Sequence, residues 1–299
     1  MRSSPLRVIA ATLVIFAGVA AMFWAVARVS RSGGEAGGPI FGSRVAIVEL
    51  EGMILDVEDL VRDLRAHRDN PQVKAVVVRI NSPGGVVGPT QEIHQALMRV
   101  REAGKPVVAS LGSVAASGGY YTAVAADRIF ANPGTLTGSI GVIMQMANVE
   151  NLFKKVGVDY IVVKAGRYKD LGNFSRPMTQ DERRVLQTLL DDVHGQFIDA
   201  VAEGRKLDRA EVVKFADGRI FSGVQAKGMR MVDELGSLED AVNSAAKLAG
   251  LSVPPPVIRP SKRFSIFDLV RSQLGLRLGG LSLPGPAVPG FRTLLYLMD

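Results

Sequence analysis

Three short apolar runs, each followed by a stretch of helical periodicity, narrow the folds open to this chain more than any other feature. VAIVEL (45 to 50), AVVVRI (75 to 80) and PVVAS (106 to 110) are too short for helices and read as buried strands. DVEDLVRDLRAHR (56 to 68) and TQEIHQALMRVREA (90 to 103) set apolar residues three and four apart with charged residues between them, as amphipathic helices do. This alternation predicts an α/β body from residue 44 to 250, about 205 residues long and large enough for one full core. No internal repeat is visible.

Charge separates that body from its ends. The chain carries 36 Lys and Arg against 29 Asp and Glu, a formal +7. Residues 1 to 44 hold five Arg and one Glu, and residues 254 to 299 hold six basic and two acidic residues, which leaves the middle at 25 against 26. A nucleic-acid binder would carry its basic stripe on the folded body, so nucleic acid is not expected as a partner. Near the start, Val8 to Ala27 is uncharged with Thr12 as its one clearly polar side chain, flanked by Arg2, Arg7, Arg28 and Arg31. As a helix it would span about 30 Å, one hydrocarbon core, so residues 1 to 29 are expected to form a cytoplasmic end and a single membrane anchor. The alternative is a cleaved signal peptide, for which Ala25-Val26-Ala27 would serve as the cleavage site. The basic residues favour an inside N-terminus and an outside body.

Residues 30 to 43 (SRSGGEAGGPIFGS) read as a flexible linker. Residues 251 to 299 hold seven of the fifteen prolines and read as a tail. Within it FSIFDLVRSQLGLRL (264 to 278) is amphipathic and FRTLLYLM (291 to 298) is apolar, suited to packing on the body, on a neighbouring subunit, or at a membrane surface.

Two kinds of chemistry are poorly supplied. There is no cysteine, which removes thiolate metal sites, disulfides and a cysteine nucleophile. His67, His94 and His194 are far apart and form no paired ligand spacing, so neither a metal nor another cofactor is expected.

Two glycine-rich turns carry more. AVVVRI runs into Asn81-Ser82-Pro83-Gly84-Gly85 ahead of a helix, where glycine lets backbone N–H groups approach a developing oxyanion. Neither GxxxxGK[ST] nor GxGxxG occurs there, which argues against a nucleotide site. The second turn follows PVVAS and reads Leu111-Gly112-Ser113-Val114-Ala115-Ala116-Ser117-Gly118-Gly119. Its small residues leave Ser117 reachable at a strand-to-helix turn, a suitable place for a nucleophile, although it is not a GxSxG elbow.

A serine nucleophile needs a base. His94 and His194 read as surface or packing residues, so lysine is the remaining candidate. A lysine works only when neutral, so its pKa must fall by about 2 to 3 units, at a cost of about 3 to 4 kcal/mol. Lys154, Lys155, Lys164 and Lys169 all qualify by position. Ser244-Ala245-Ala246-Lys247 matches SxxK, but without SDN and KTG the match reads as accidental.

NSPGG (81 to 85), VAASGGYY (114 to 121), LTGSIGV (136 to 142), GRYKD (166 to 170), SRPMT (175 to 179), DGRIFSG (217 to 223) and VDELG (232 to 236) together resemble the signal peptide peptidase A family, short form, serine proteases of family S49 with a Ser/Lys dyad. The resemblance spans residues 44 to 250. It implies a ClpP/crotonase-like fold of repeated ββα units, preceded by one transmembrane helix. It makes Ser117 the nucleophile and Lys169 the general base, with Ser139 orienting the lysine and Gly84, Gly85 and Gly118 forming the oxyanion hole. It implies signal peptides and other unfolded peptides as substrates and a homo-oligomer such as an octamer, with the dyad completed between protomers. It also implies an inner-membrane, single-pass location with the catalytic body on the extracytoplasmic side. A catalytically inactive scaffold or peptide-binding protein of the same fold is the alternative.

Overall fold

In the computed structural model, residues 42–259 and the backbone of 295–297 are described. Their elements run β1 (Arg44–Glu51), α1 (Glu58–Asp69), β2 (Val73–Ser82), β3 (Gly84–Val86), α2 (Val87–Glu102), β4 (Val107–Ala116), α3 (Gly118–Ala123), β5 (Arg128–Ala131), β6 (Leu136–Gly138), α4 (Glu150–Val156), α5 (Gln180–Arg205), α6 (Arg209–Val213), β7 (Ile220–Ser222), α7 (Gly223–Gly228), β8 (Glu234–Leu235), α8 (Leu238–Leu248), β9 (Val257–Ile258) and β10 (Leu295–Leu297). The class is mixed α/β. The three apolar runs become β1, β2 and β4, which pair in parallel in the order β1-β2-β4.

A parallel sheet covered on both faces needs apolar residues at successive positions, and these strands have them. Val48, Leu50, Val76, Val78, Ala109 and Leu111 point to one face, against Leu64 of α1, Ile93 and Leu97 of α2, and Phe197 and Val201 of α5. The alternate residues Val45, Ile47, Ala75, Val77 and Val108 point to the other, against Ala241, Val242, Ala245 and Ala246 of α8. A one-residue slip of β2 would exchange the two sets, so both layers pin the register.

β4 divides its outer edge between two partners. Val108–Leu111 pair with β5, and Val114–Ala116 pair with β6. This strand is longer than the sequence suggests. Leu111, Gly112 and Ser113 read as the start of a turn, yet β4 continues to Ala116 because Ala115 pairs with Ser82 and the last residues find β6. Tertiary pairing overrides weak local strand preference here. A Cβ at Gly112 would lie 3.0 Å from the Ile80 carbonyl oxygen, so glycine permits the close approach of β2.

β3 leaves the main sheet. One edge of it is held by Ile54, whose N–H donates to the Gly84 carbonyl (2.9 Å) and whose carbonyl accepts from the Val86 N–H (2.8 Å). Along it runs β10, antiparallel, with Leu295 opposite Val86, Tyr296 opposite Gly85 and Leu297 opposite Gly84.

The expected single-pass inner-membrane location is corrected: among the described residues, no helix is long and apolar enough to cross a membrane. The longest, α5, has 26 residues and opens with Asp181, Glu182, Arg183 and Arg184. The apolar segment 8 to 27, linker residues 30 to 41 and the amphipathic tail segment 264 to 278 lie outside the described residues.

Candidate active site

Ser117 occupies the one-residue joint between β4 and α3. Its backbone sits at φ 52°, ψ −118°, a region that L-residues seldom adopt. Such a conformation costs on the order of 1–3 kcal/mol and persists only where neighbours enforce it. Here the Ser117 N–H donates to the Gly138 carbonyl (2.8 Å), and the Ser117 carbonyl accepts from the Tyr121 N–H (2.8 Å). Below, the buried Tyr120 hydroxyl donates to the Met231 carbonyl at 2.9 Å and ties α3 to the body. The Ser117 hydroxyl is fully buried and has no hydrogen-bond partner among the described residues.

The glycines after it serve close packing. A Cβ at Gly118 would lie 2.8 Å from Thr90 Oγ1, 3.2 Å from the Gly85 nitrogen and 3.3 Å from Gly84 Cα. One at Gly119 would lie 2.8 Å from the Ser82 carbonyl oxygen. Gly84, Gly85 and Gly118 therefore converge beside Ser117, but they are not equivalent as donors. The Gly84 N–H already donates to Ser82 Oγ (3.1 Å), and Gly84 itself is at φ 109°. Gly118 is the first residue of α3, so its N–H has no acceptor within the helix. Gly118 is left as the freer donor, and Gly85 turns its N–H toward the edge of β3 along which β10 runs, which makes these two the better candidates.

Ser139 adjoins the same joint. It too has a positive φ, 50°, and is nearly buried. Its N–H donates to the Arg219 carbonyl (2.8 Å), while the Gly218 N–H donates to the Ile140 carbonyl (3.2 Å). The Asp217-Gly218-Arg219 segment thus braces the Ser139 turn, and an Asp217–Arg219 ion pair closes it.

Lys169 is not joined to Ser117 within the chain. It lies in an exposed turn, its N–H donating to the Gly166 carbonyl (3.2 Å). Two rival lysines are ion-paired with carboxylates, Lys154 with Glu150 and Lys164 with Asp170. Lys169 forms no ion pair among the described residues, and neither does Lys155. That distinction suits a base, since a carboxylate partner holds a lysine charged.

Neither histidine donates to or accepts from Ser117 Oγ. His94 is half-buried, its ring edge-on to Tyr121 at 5.1 Å, and burial, helped by Arg101, lowers its pKa to about 4. Its packing partner lies a turn of helix beyond Ser117 and is unreadable from the EIHQALMRV pattern.

Sequence reasoning missed two ionic networks. Arg205, almost buried, makes a bidentate pair with Asp233 (2.9 and 2.6 Å), and Asp233 also accepts from the Ile129 N–H (2.7 Å). Arg176 bridges Asp170 and Glu182, next to Lys169. The signals were present, as Asp233 lies in VDELG and Arg176 in SRPMT, but nothing in the chain names their partners.

The fold is that of an α/β protein with a strained, buried serine at a strand-to-helix turn, faced by glycine backbone. Residues 99–252 match the model of peptidase family S49, and the chain belongs to that family. It is 51% identical over 177 residues to a putative protease of Synechocystis sp., covering 59% of this chain and 64% of that one. It is 36% identical to protease 4 of Salmonella typhi, covering 84% of this chain and 43% of that one. With a putative signal peptide peptidase SppA of Enterococcus faecium the identity is 35%, over 64% of this chain and 55% of that one. The chain thus spans between about two fifths and just under two thirds of the length of these relatives. A ClpP1 mutant from Listeria monocytogenes superposes with a TM-score of 0.45 at 19% identity, over 66% of this chain and 94% of that one.

Proposed function

We propose that this protein is a serine endopeptidase in which Ser117 is the nucleophile and Lys169 the general base. The observation that carries the reading is the Ser117 hydroxyl: buried, without a partner, on a strained turn, and beside the backbone of Gly85 and Gly118. Buried polar groups are nearly always satisfied, and an orphan of this kind is a mark of function. In the proposed reaction the Lys169 amine takes the Ser117 proton as Oγ bonds to the peptide carbonyl carbon. The carbonyl electron pair moves to oxygen, and the Gly85 and Gly118 N–H groups stabilise that oxyanion. Lys169 then returns the proton to the leaving amine as the C–N bond breaks. Water, deprotonated by the same amine, releases the acyl group.

We assign Lys169 to a neighbouring copy of the chain, in a homo-oligomer built on a ClpP/crotonase-like body. The segment that bears it, from Met146 to Phe174, exposes Ile161 (83%) and Val163 (95%) along with Leu152 and Val156. Apolar side chains concentrated on one segment favour a protein partner. Extended peptides are the substrate class, signal peptides among them. β10 supports this reading, because it lies antiparallel on β3 beside the nucleophile, the manner in which an extended peptide adds to a sheet edge.

The test is hydrolysis of a fluorogenic peptide by the assembled protein and by Ser117→Ala and Lys169→Ala, together with Ser117 labelling by a fluorophosphonate. Each variant should be inactive. Equal mixing of the two should restore about a quarter of the sites, because some interfaces then join an intact serine to an intact lysine. Full activity in either variant alone rejects the assignment, and a wild type that neither labels nor cleaves favours the scaffold.

A further inference from the structure

The turn that holds Lys169 is fastened to α5 by two ion pairs, an exposed one between Arg167 and Asp181 and a deeper one through Arg176. Arg176 donates from Nε and Nη2 to Asp170 Oδ2 (3.1 and 2.9 Å) and from Nη2 to the Asp170 carbonyl (3.4 Å). Its Nη1 donates to Glu182 Oε2 (2.9 Å) and to the Pro177 carbonyl (3.1 Å), and Nη2 also reaches Glu182 Oε1. Every guanidinium nitrogen is engaged. Glu182 is 5% exposed and closes a capping box with Thr179, accepting from the Thr179 N–H (2.9 Å) while its own N–H donates to Thr179 Oγ1 (3.2 Å). It begins α5, whose Leu186, Val193, Phe197 and Val201 are buried in the core. By contrast, α4 buries no residue.

Asp170 is the carboxylate next to Lys169 in the chain. On its far side, Lys164 Nζ donates to Asp170 Oδ1 and to the Arg167 carbonyl (3.1 Å). Arg167 pairs with Asp181 of α5, which also takes Arg184. The charged groups around the turn are therefore Lys164, Arg167, Asp170 and Arg176 from the loop, and Asp181, Glu182 and Arg184 from α5. Asp170 is held by two cations, Lys164 first and then Arg176, which keep its carboxyl at about 2.

We propose that Arg176, braced by Glu182, is a positioning residue that sets the Lys169 turn on α5 and holds the Asp170 carboxylate away from the Lys169 amine. This rests on Lys169 being the base. Freed from Arg176, Asp170 is available as an ion-pair partner for its neighbour, and a paired ammonium cannot accept the serine proton. The clasp therefore acts on the protonation state of the base as well as on its place.

The experiment is a kcat pH profile, from pH 6 to 10, of the assembled wild type, Arg176→Gln, Asp170→Asn and the double variant. Arg176→Gln should move the alkaline rise of kcat upward by about one pH unit, a loss of about tenfold at neutral pH that fades toward pH 10, with KM changed less than twofold. Asp170→Asn should move the rise downward, since the unpaired Lys164 then stands near Lys169. In the double variant the rise should return to or below its wild-type position. A loss in Arg176→Gln that is the same at every pH, and that Asp170→Asn does not relieve, overturns the proposal and leaves the clasp purely structural. If Arg176→Gln fails to assemble, Asp170→Asn decides alone, and an upward shift in it also overturns the proposal. The base assignment fails separately, through activity in Lys169→Ala, whatever Arg176 does.

Discussion

Replacing Ser117, the proposed nucleophile, should make the separated chain more stable. The Ser117 hydroxyl is a buried polar group without a partner, and leaving such a group unsatisfied costs about 1–3 kcal/mol. Ser117→Ala removes that cost and leaves a void smaller than a methyl group, worth less than about 1 kcal/mol. The net expectation is a gain of about 1–2 kcal/mol, or roughly 2–8 °C in Tm for a body of this size. Ser117→Gly adds relief of the positive φ, about 1–3 kcal/mol, against about 0.5–1 kcal/mol for the more flexible unfolded glycine. It should therefore be at least as stable as Ser117→Ala. Urea unfolding of the three proteins, followed by far-UV circular dichroism under identical conditions, reads the differences as midpoints at unchanged slope. Both variants should lose peptide hydrolysis. Measured below the concentration at which copies separate, so that no neighbouring Lys169 reaches the hydroxyl, a Ser117→Ala midpoint at or below that of the wild type would refute the reasoning, because it would mean that the hydroxyl has a partner within its own chain.

Three further outcomes follow from the same geometry. Gly85→Ala should fold poorly or lose the β3 strand, since the new Cβ would fall inside the Ile54 backbone; proteolytic sensitivity between residues 52 and 88 against wild type checks this. The Asp170–Arg176–Glu182 clasp should loosen in acid. Arg176 is the chief cause holding Glu182 at about 2, and Lys164 with Arg176 hold Asp170 there, so the stabilisation is complete above the ordinary carboxylate range and is lost as pH falls from about 4 through about 2. The Arg176 Nε–H resonance should hold its shift down to pH 4 and move below it. Leu295→Pro combined with Tyr296→Pro should prevent β10 from adding to β3, because proline lacks the N–H a ladder needs. Peptide KM should then fall, while an unchanged KM would mean that β10 and substrate do not compete.

What the chain discloses about itself follows the range of the forces involved. β1, β2 and β4 are legible because three or four consecutive apolar residues between turn signals have few alternatives to a doubly covered strand. Ser117 is legible because alanine and glycine around a serine leave a reachable hydroxyl whatever the distant packing. The choice between Gly84 and Gly85 is not, because it depends on Ser82 Oγ taking the Gly84 N–H. Gly138 announces a left-handed backbone, whereas Ser139 beside it does not, and its φ of 50° is imposed by Arg219, eighty residues on. The lysines behave likewise. Spacing offers Lys154, Lys155, Lys164 and Lys169 on equal terms; Glu150 takes Lys154 within one turn of α4, whereas Asp170 takes Lys164 only once the loop has closed. Arg176 belongs to the same group, since a motif can mark it but only the fold shows that its two carboxylates come from the Lys169 turn and from a core helix. The proposed nucleophile is thus written locally and its proposed base at a distance, and a base drawn from a segment with an exposed apolar face would make activity depend on assembly. Dilution supplies the last test: below the concentration at which copies separate, hydrolysis per chain should fall in step with the oligomer, and activity that is constant per chain through dissociation would return Lys169 to its own polypeptide.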